Sequence, residues 1–95
     1  MRLDEWRAMV NVELDALDAW WKSEFANLPR YGDMMRVSDA DCLRQEYARR
    51  LEAIVERLIA MVERDDPEFA REQRESLARA VADLHRPSTP EGWLH

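Results

Sequence analysis

Few side chains in this sequence carry the chemistry of a nucleophile or a metal ligand. Cys42 is the single cysteine, and His85 and His95 are the only histidines. Cys42 falls in the first turn of an expected helix, a position that lowers a thiol pKa. Asp39 and Asp41 oppose that effect, because a nearby carboxylate disfavours a thiolate. The histidines fit neither spacing that helical metal sites use, Glu-x-x-His on facing helices or His-x-x-x-His on one face. His85 sits at an expected helix C-terminus, where the dipole favours an imidazolium. Carboxylates pair along the chain, Asp15 with Asp18 and Glu52 with Glu56, but on expected wet faces. Solvation there gives none of the pKa shift that general acid–base catalysis needs. No glycine-rich phosphate loop, nucleophile elbow or Cys-x-x-Cys pair is present. The expectation is a protein that is not an enzyme and that uses no cofactor and no metal.

The residues that stand out are apolar. Trp6, Met9 and Trp20 make a stripe with Glu13 and Glu24 between them. Two unpaired carboxylates are costly inside a core, which places this stripe at the core's edge. Tyr31, Met34 and Met35 lie in a link where a solvated loop needs no such side chains. Trp93, with Leu94, anchors the C-terminal tail. Trp, Tyr and Met are enriched at the centres of protein interfaces. Trp6, Met9, Trp20, Tyr31, Met34, Met35 and Trp93 are therefore the candidate partner-binding set, with Trp6 and Trp20 the sharpest members. The competing expectation is that stripe, link and tail cover one another.

Three helices must position these residues. The longest runs over 39–64, has no Gly or Pro, and is introduced by Ser38 as N-cap with Asp41 three residues on. Leu43, Tyr47, Leu51, Ile54, Leu58 and Met61 form its stripe, flanked by Val55, Ile59 and Val62. The apolar arc spans roughly 160°, wider than an ordinary surface helix presents. A helix with that arc has two neighbours. Arg44 interrupts the arc's edge and is expected to snorkel outward. Glu46 precedes Arg50 by four residues, the favourable order for an ion pair.

The first helix spans about 3–28. Its main stripe is Leu3, Val10, Leu14, Leu17, Trp21, Phe25 and Leu28, and Pro29 ends it. The third spans 67–85, opened by Asp66 as N-cap and Pro67 at the first helical position. Pro87 and Pro90 then break the pattern, and 87–95 forms a short non-helical tail. The expected fold is all-α, a small antiparallel three-helix bundle over 1–86 with the second helix in the middle.

A chain of 95 residues makes one domain at most. A core this small has a thin stability margin, and association supplements it. Net charge is −6, with 20 acidic against 14 basic residues. That balance argues against direct nucleic-acid binding and against an anionic membrane surface. The first residues turn acidic at once, unlike a secretory signal, and no stretch approaches a membrane span, so a cytoplasmic setting is expected. The functional expectation is a small helical protein–protein interaction module, self-associating as a homodimer or docking on a larger protein through apolar helix faces. Two alternatives are an acidic inhibitor that occupies a basic groove on a nucleic-acid-processing protein, and a small non-catalytic accessory subunit of an enzyme complex.

Overall fold

The computed structural model of the chain describes residues 2–32, 35–86 and 93–94. Among them the fold is all-α, with three helices in antiparallel order. Helix α1 covers Leu3–Ala26, with Asp4 and Glu5 in its first turn against the positive end of the dipole. It stops two residues before Leu28. Pro29 forces Leu28 out of the helical region, so the cap falls at Asn27, whose N–H donates to the carbonyls of Ser23 and Glu24. Gly32 in the link that follows adopts φ +68°, a left-handed conformation that suits glycine.

Helix α2 covers Val37–Glu63 and begins before the expected Ser38 cap. The N-cap position is Arg36, and no side chain caps the helix. The reason is tertiary. Met35–Arg36 form a two-residue strand, β1, which pairs antiparallel with β2, Trp93–Leu94, in the register Met35 opposite Leu94. Extended backbone at Arg36 runs straight into the helix, and burial of Met35 and Val37 pins the first turn. Helix α3 covers Pro67–Leu84 and begins as expected: the Asp66 carboxylate accepts a 3.0 Å hydrogen bond from the N–H of Phe69, with Pro67 just inside. Residues 87–92 of the expected tail, His95, and Met34 lie outside the described residues.

Helix α2 lies in the middle. Trp6, early in α1, reaches Leu58, late in α2, while Trp21 meets Tyr47 near the opposite end. Arg74 of α3 binds Glu56 and Glu63, and Arg44 of α2 reaches the end of α3. The α1 contacts and the α3 contacts attach to opposite edges of α2, roughly 160° apart at 100° per residue. Three helices in a closed triangle would sit about 60° apart. The result is an open layer, 52 × 23 × 15 Å, with a radius of gyration of 16.1 Å. A compact chain of this length has about 12 Å. The main core, Trp6, Leu58, Ile59, Val62, Ala70 and Leu77, sits at one end of the layer. There Phe69 meets Trp6 edge to face at 5.3 Å and joins α1 to α3 over α2.

Candidate protein-docking face

The open layer has two unlike faces. On one, charged side chains bridge the helices. Arg57 of α2 meets Glu13 of α1 at 3.1 Å. Arg74 of α3 grips Glu63 through two hydrogen bonds of 2.6 and 2.8 Å and reaches Glu56 at 3.3 Å. Arg50 lies 4.2 Å above the ring of Trp20, held by its ion pair with Glu46 at 3.1 Å. The hydrogen bond from Arg74 holds the Glu63 carboxyl below its ordinary range, and Glu63 and Glu56 together hold the Arg74 guanidinium proton more tightly than usual. Leu17 is buried on this side, while Ile54 and Trp20 are half-buried and line an open hollow of 330 Å³ with Glu13, Ala16, Arg50 and Ala53.

The other face is the side on which Trp6 meets Phe69. Val10, Leu14 and Trp21 of α1 lie there on one stripe, four and seven residues apart. Leu51 and Val55 of α2 lie at the centre of its arc, and Leu84 of α3 lies at the far edge. All six are half-buried. Their exposure follows from the 160° splay. Two neighbours at the edges of α2 cannot close over its centre, so the apolar arc that predicted two neighbours is left uncovered midway. A hollow of 220 Å³ marks the gap, walled by Trp21 and Asp18 from α1, Tyr47 and Arg44 from α2, and Leu84 from α3.

Arg44 is the charged residue of α2 on this side. It does not snorkel into water as expected. Its guanidinium binds Asp41 at 3.2 Å and donates to the carbonyls of Leu84 and Arg86 at 3.2 and 2.8 Å. Those carbonyls close α3, where the helix dipole is negative and unsatisfied oxygens gather. The apolar face thus carries a cation whose partners all belong to this chain.

The structure redistributes the expected partner-binding residues. Trp6 is only 4% exposed and Met35 only 3%, so both are buried within the single chain rather than at the core's edge or in a solvated link. The inference that put Trp6 at the core's edge rested on Glu13 and Glu24 sharing its stripe; both carboxylates reach solvent, Glu13 beside Arg57, while the Trp6 ring alone of the stripe turns fully onto α2 and α3. Trp20 is half-buried beneath Arg50, Met9 is exposed, and Tyr31 is exposed with the Arg36 guanidinium 5.0 Å from its ring centre. Of Trp93 only the backbone is described, and its pairing with Arg36 brings the tail back to the link. The half-exposed stripe of Val10, Leu14 and Trp21 has the sequence pattern of a core stripe. The signal that could have found it is the width of the α2 arc, since a broad arc with neighbours at its edges must leave its middle open.

Cys42 is exposed and lines a broad hollow with Glu46, Glu52 and His85. Among the described residues no group of three His, Cys, Asp or Glu side chains stands close enough to hold a metal ion. No buried side-chain nitrogen or oxygen among them lacks a hydrogen-bond partner. No helix there is long and apolar enough to cross a membrane. No protein-family model matches this sequence, and no curated protein or solved structure matches it.

Proposed function

We propose that the chain is a protein–protein interaction module that docks through the face bearing Leu14, Trp21, Leu51 and Val55. One observation carries this reading: Val10, Leu14 and Trp21 of α1 and Leu51 and Val55 of α2 make a half-buried apolar row along one side of the layer, while the Arg57–Glu13 and Arg74–Glu63 ion pairs lie on the other. Helical domains bury such stripes against a second layer. Here the chain supplies one layer, and a partner supplies the other. Side chains of this face are aliphatic and aromatic with few charges, the composition of an interface centre rather than of a substrate cleft. The module has no part in covalent chemistry. A lone cysteine suits a reducing compartment, and we assign the module to the cytoplasm.

A photoactivatable benzoylphenylalanine placed at Leu14, and separately at Arg49 on the charged face, tests this in the native host. Protein adducts from position 14 and none from position 49 support the reading. Adducts from neither position, or from 49 alone, overturn it.

A further inference from the structure

Helix α2 carries two start signals, two residues apart, and the fold uses the one without a side-chain cap. The N-cap position is Arg36, extended at φ −72° and ψ 134°, and no side chain there bonds to the first turn. Ser38, the residue type that caps helices, lies inside that start and is exposed. It stands as an interior helical residue, where serine is a poorer helix former than alanine.

The short pairing of β1 with β2 decides between the two starts. Met35 opposite Leu94 and Arg36 opposite Trp93 hold residues 35–36 extended right up to the helix. Met35 and Val37 are then 3% and 6% exposed. A ladder of two residues is marginal in water. Its release is a local event. Arg44 donates to the carbonyls of Leu84 and Arg86, so the end of α3 stays tied to α2 upstream of residues 93–94.

We infer that residues 93–94 are a latch that sets where α2 begins. Latched, α2 starts at Val37, with Met35 and Val37 buried. Unlatched, Val37 leaves the helix, the Ser38 hydroxyl caps it, and both apolar side chains are uncovered. Asp41, which stands where a reciprocal capping partner would, is paired with Arg44 at 3.2 Å, so the hydroxyl alone makes the cap. The capping bond gained offsets part of the ladder given up, and that keeps the second state close to the first. The latch thereby governs access to Met35 and Val37.

Ser38→Ala in the full chain tests this, because the hydroxyl contributes a cap only in the unlatched state. Amide exchange at residues 35–36 and 93–94, read by NMR, should slow about fivefold, the worth of a serine cap. The urea midpoint should hold or rise slightly, since alanine is the better helix former. A double variant, Trp93→Pro with Leu94→Pro, removes both N–H donors of β2 and gives the second reading. In it the Cα chemical shift of Ser38 should move from helical to extended, with the shifts from Cys42 onward unchanged. Ser38→Ala added to that variant should lower the folding equilibrium constant about fivefold. Exchange at the ladder that does not respond to Ser38→Ala overturns the inference, as does a Ser38 that stays helical with the prolines in place. An equal effect of Ser38→Ala on folding with and without the prolines overturns it too. The exchange reading is made on a chain whose ladder is intact, so it decides even where the prolines unfold the protein.

Discussion

The indole N–H of Trp6 donates a 2.7 Å hydrogen bond to the main-chain carbonyl of Leu58, fifty-two residues along the chain. Leu58 lies inside α2, where its carbonyl also accepts from its own helix, so the indole uses the second lone pair. The bond fixes the start of α1 against the end of α2, and Phe69 closes on the same ring from α3. One tryptophan thereby joins all three helices at this end of the layer.

Truncating that side chain should be the most damaging single change. Trp6→Ala removes the ring from a packed site and should cost about 3–5 kcal/mol. A domain of this length holds only ~5–14 kcal/mol in all. Trp6→Phe keeps most of the buried area and forfeits the hydrogen bond. Because the Leu58 carbonyl keeps its helical partner, no acceptor is orphaned, and the loss should be about 1–2 kcal/mol. Urea titration followed by helix ellipticity separates the two. A Trp6→Phe loss as large as the alanine loss would mean that the hydrogen bond, not the packing, holds this end together.

The cap of α3 gives a smaller, local prediction. Asp66 satisfies the N–H of Phe69, and Phe69 is the residue that packs on Trp6. Asp66→Ala should cost about 1 kcal/mol, with Asp66→Asn close to wild type, as judged by the urea midpoint. A null effect for the alanine variant would show that packing of Phe69 positions the first turn without the cap.

Arg44 closes the other end of the layer. Its bonds to the Leu84 and Arg86 carbonyls tie the last turn of α3 to the first half of α2. Arg44→Met keeps an apolar stem of similar length and removes the donors. The expected cost is about 1–2 kcal/mol. Hydrogen exchange should quicken in the final turn of α3 and leave Ala70 and Leu77 unaffected. Uniform quickening along α3 would show that the helix detaches as a unit rather than fraying.

What could be read in advance divides by range. The α2 arc was legible because its 3.6-residue period is a local property of the sequence, and it implied two neighbours that are present. Asp66-Pro67 was legible because an N-cap and a first-position proline act within four residues. The placement of Trp6 was not, since it depends on Leu58 of α2 and Phe69 of α3 meeting its ring, contacts no spacing reveals. Nor was the start of α2 at Val37, which the pairing of residues 35–36 with 93–94 sets. The half-exposure of Leu14 and Trp21 was not legible for a related reason: they have a core pattern, and only the splay of α1 and α3 about α2 leaves them partly uncovered.

The grip of Arg74 on Glu63 makes the α2–α3 contact sensitive to acid, with a sign set by the direction of the shift. The Arg74 hydrogen bond lowers the Glu63 pKa in the folded chain below its ordinary 4.5. The unfolded chain, lacking that bond, takes up its proton first as pH falls. The contribution of the pair is therefore whole above the ordinary value and disappears as pH falls through the lowered one. Glu63→Gln should reduce the urea midpoint at neutral pH, and the gap to wild type should narrow as pH falls below the ordinary value and close once the lowered one is passed. High salt should narrow the gap at neutral pH too, because the pair is solvent-accessible. In an Arg74→Gln background, Glu63→Gln should have little further effect at any pH, since the partner is gone and Glu56 is left without its share of the same guanidinium. A gap that persists unchanged to pH 2, or survives in the Arg74→Gln background, would show that Glu63 acts through something other than its charged bridge with α3.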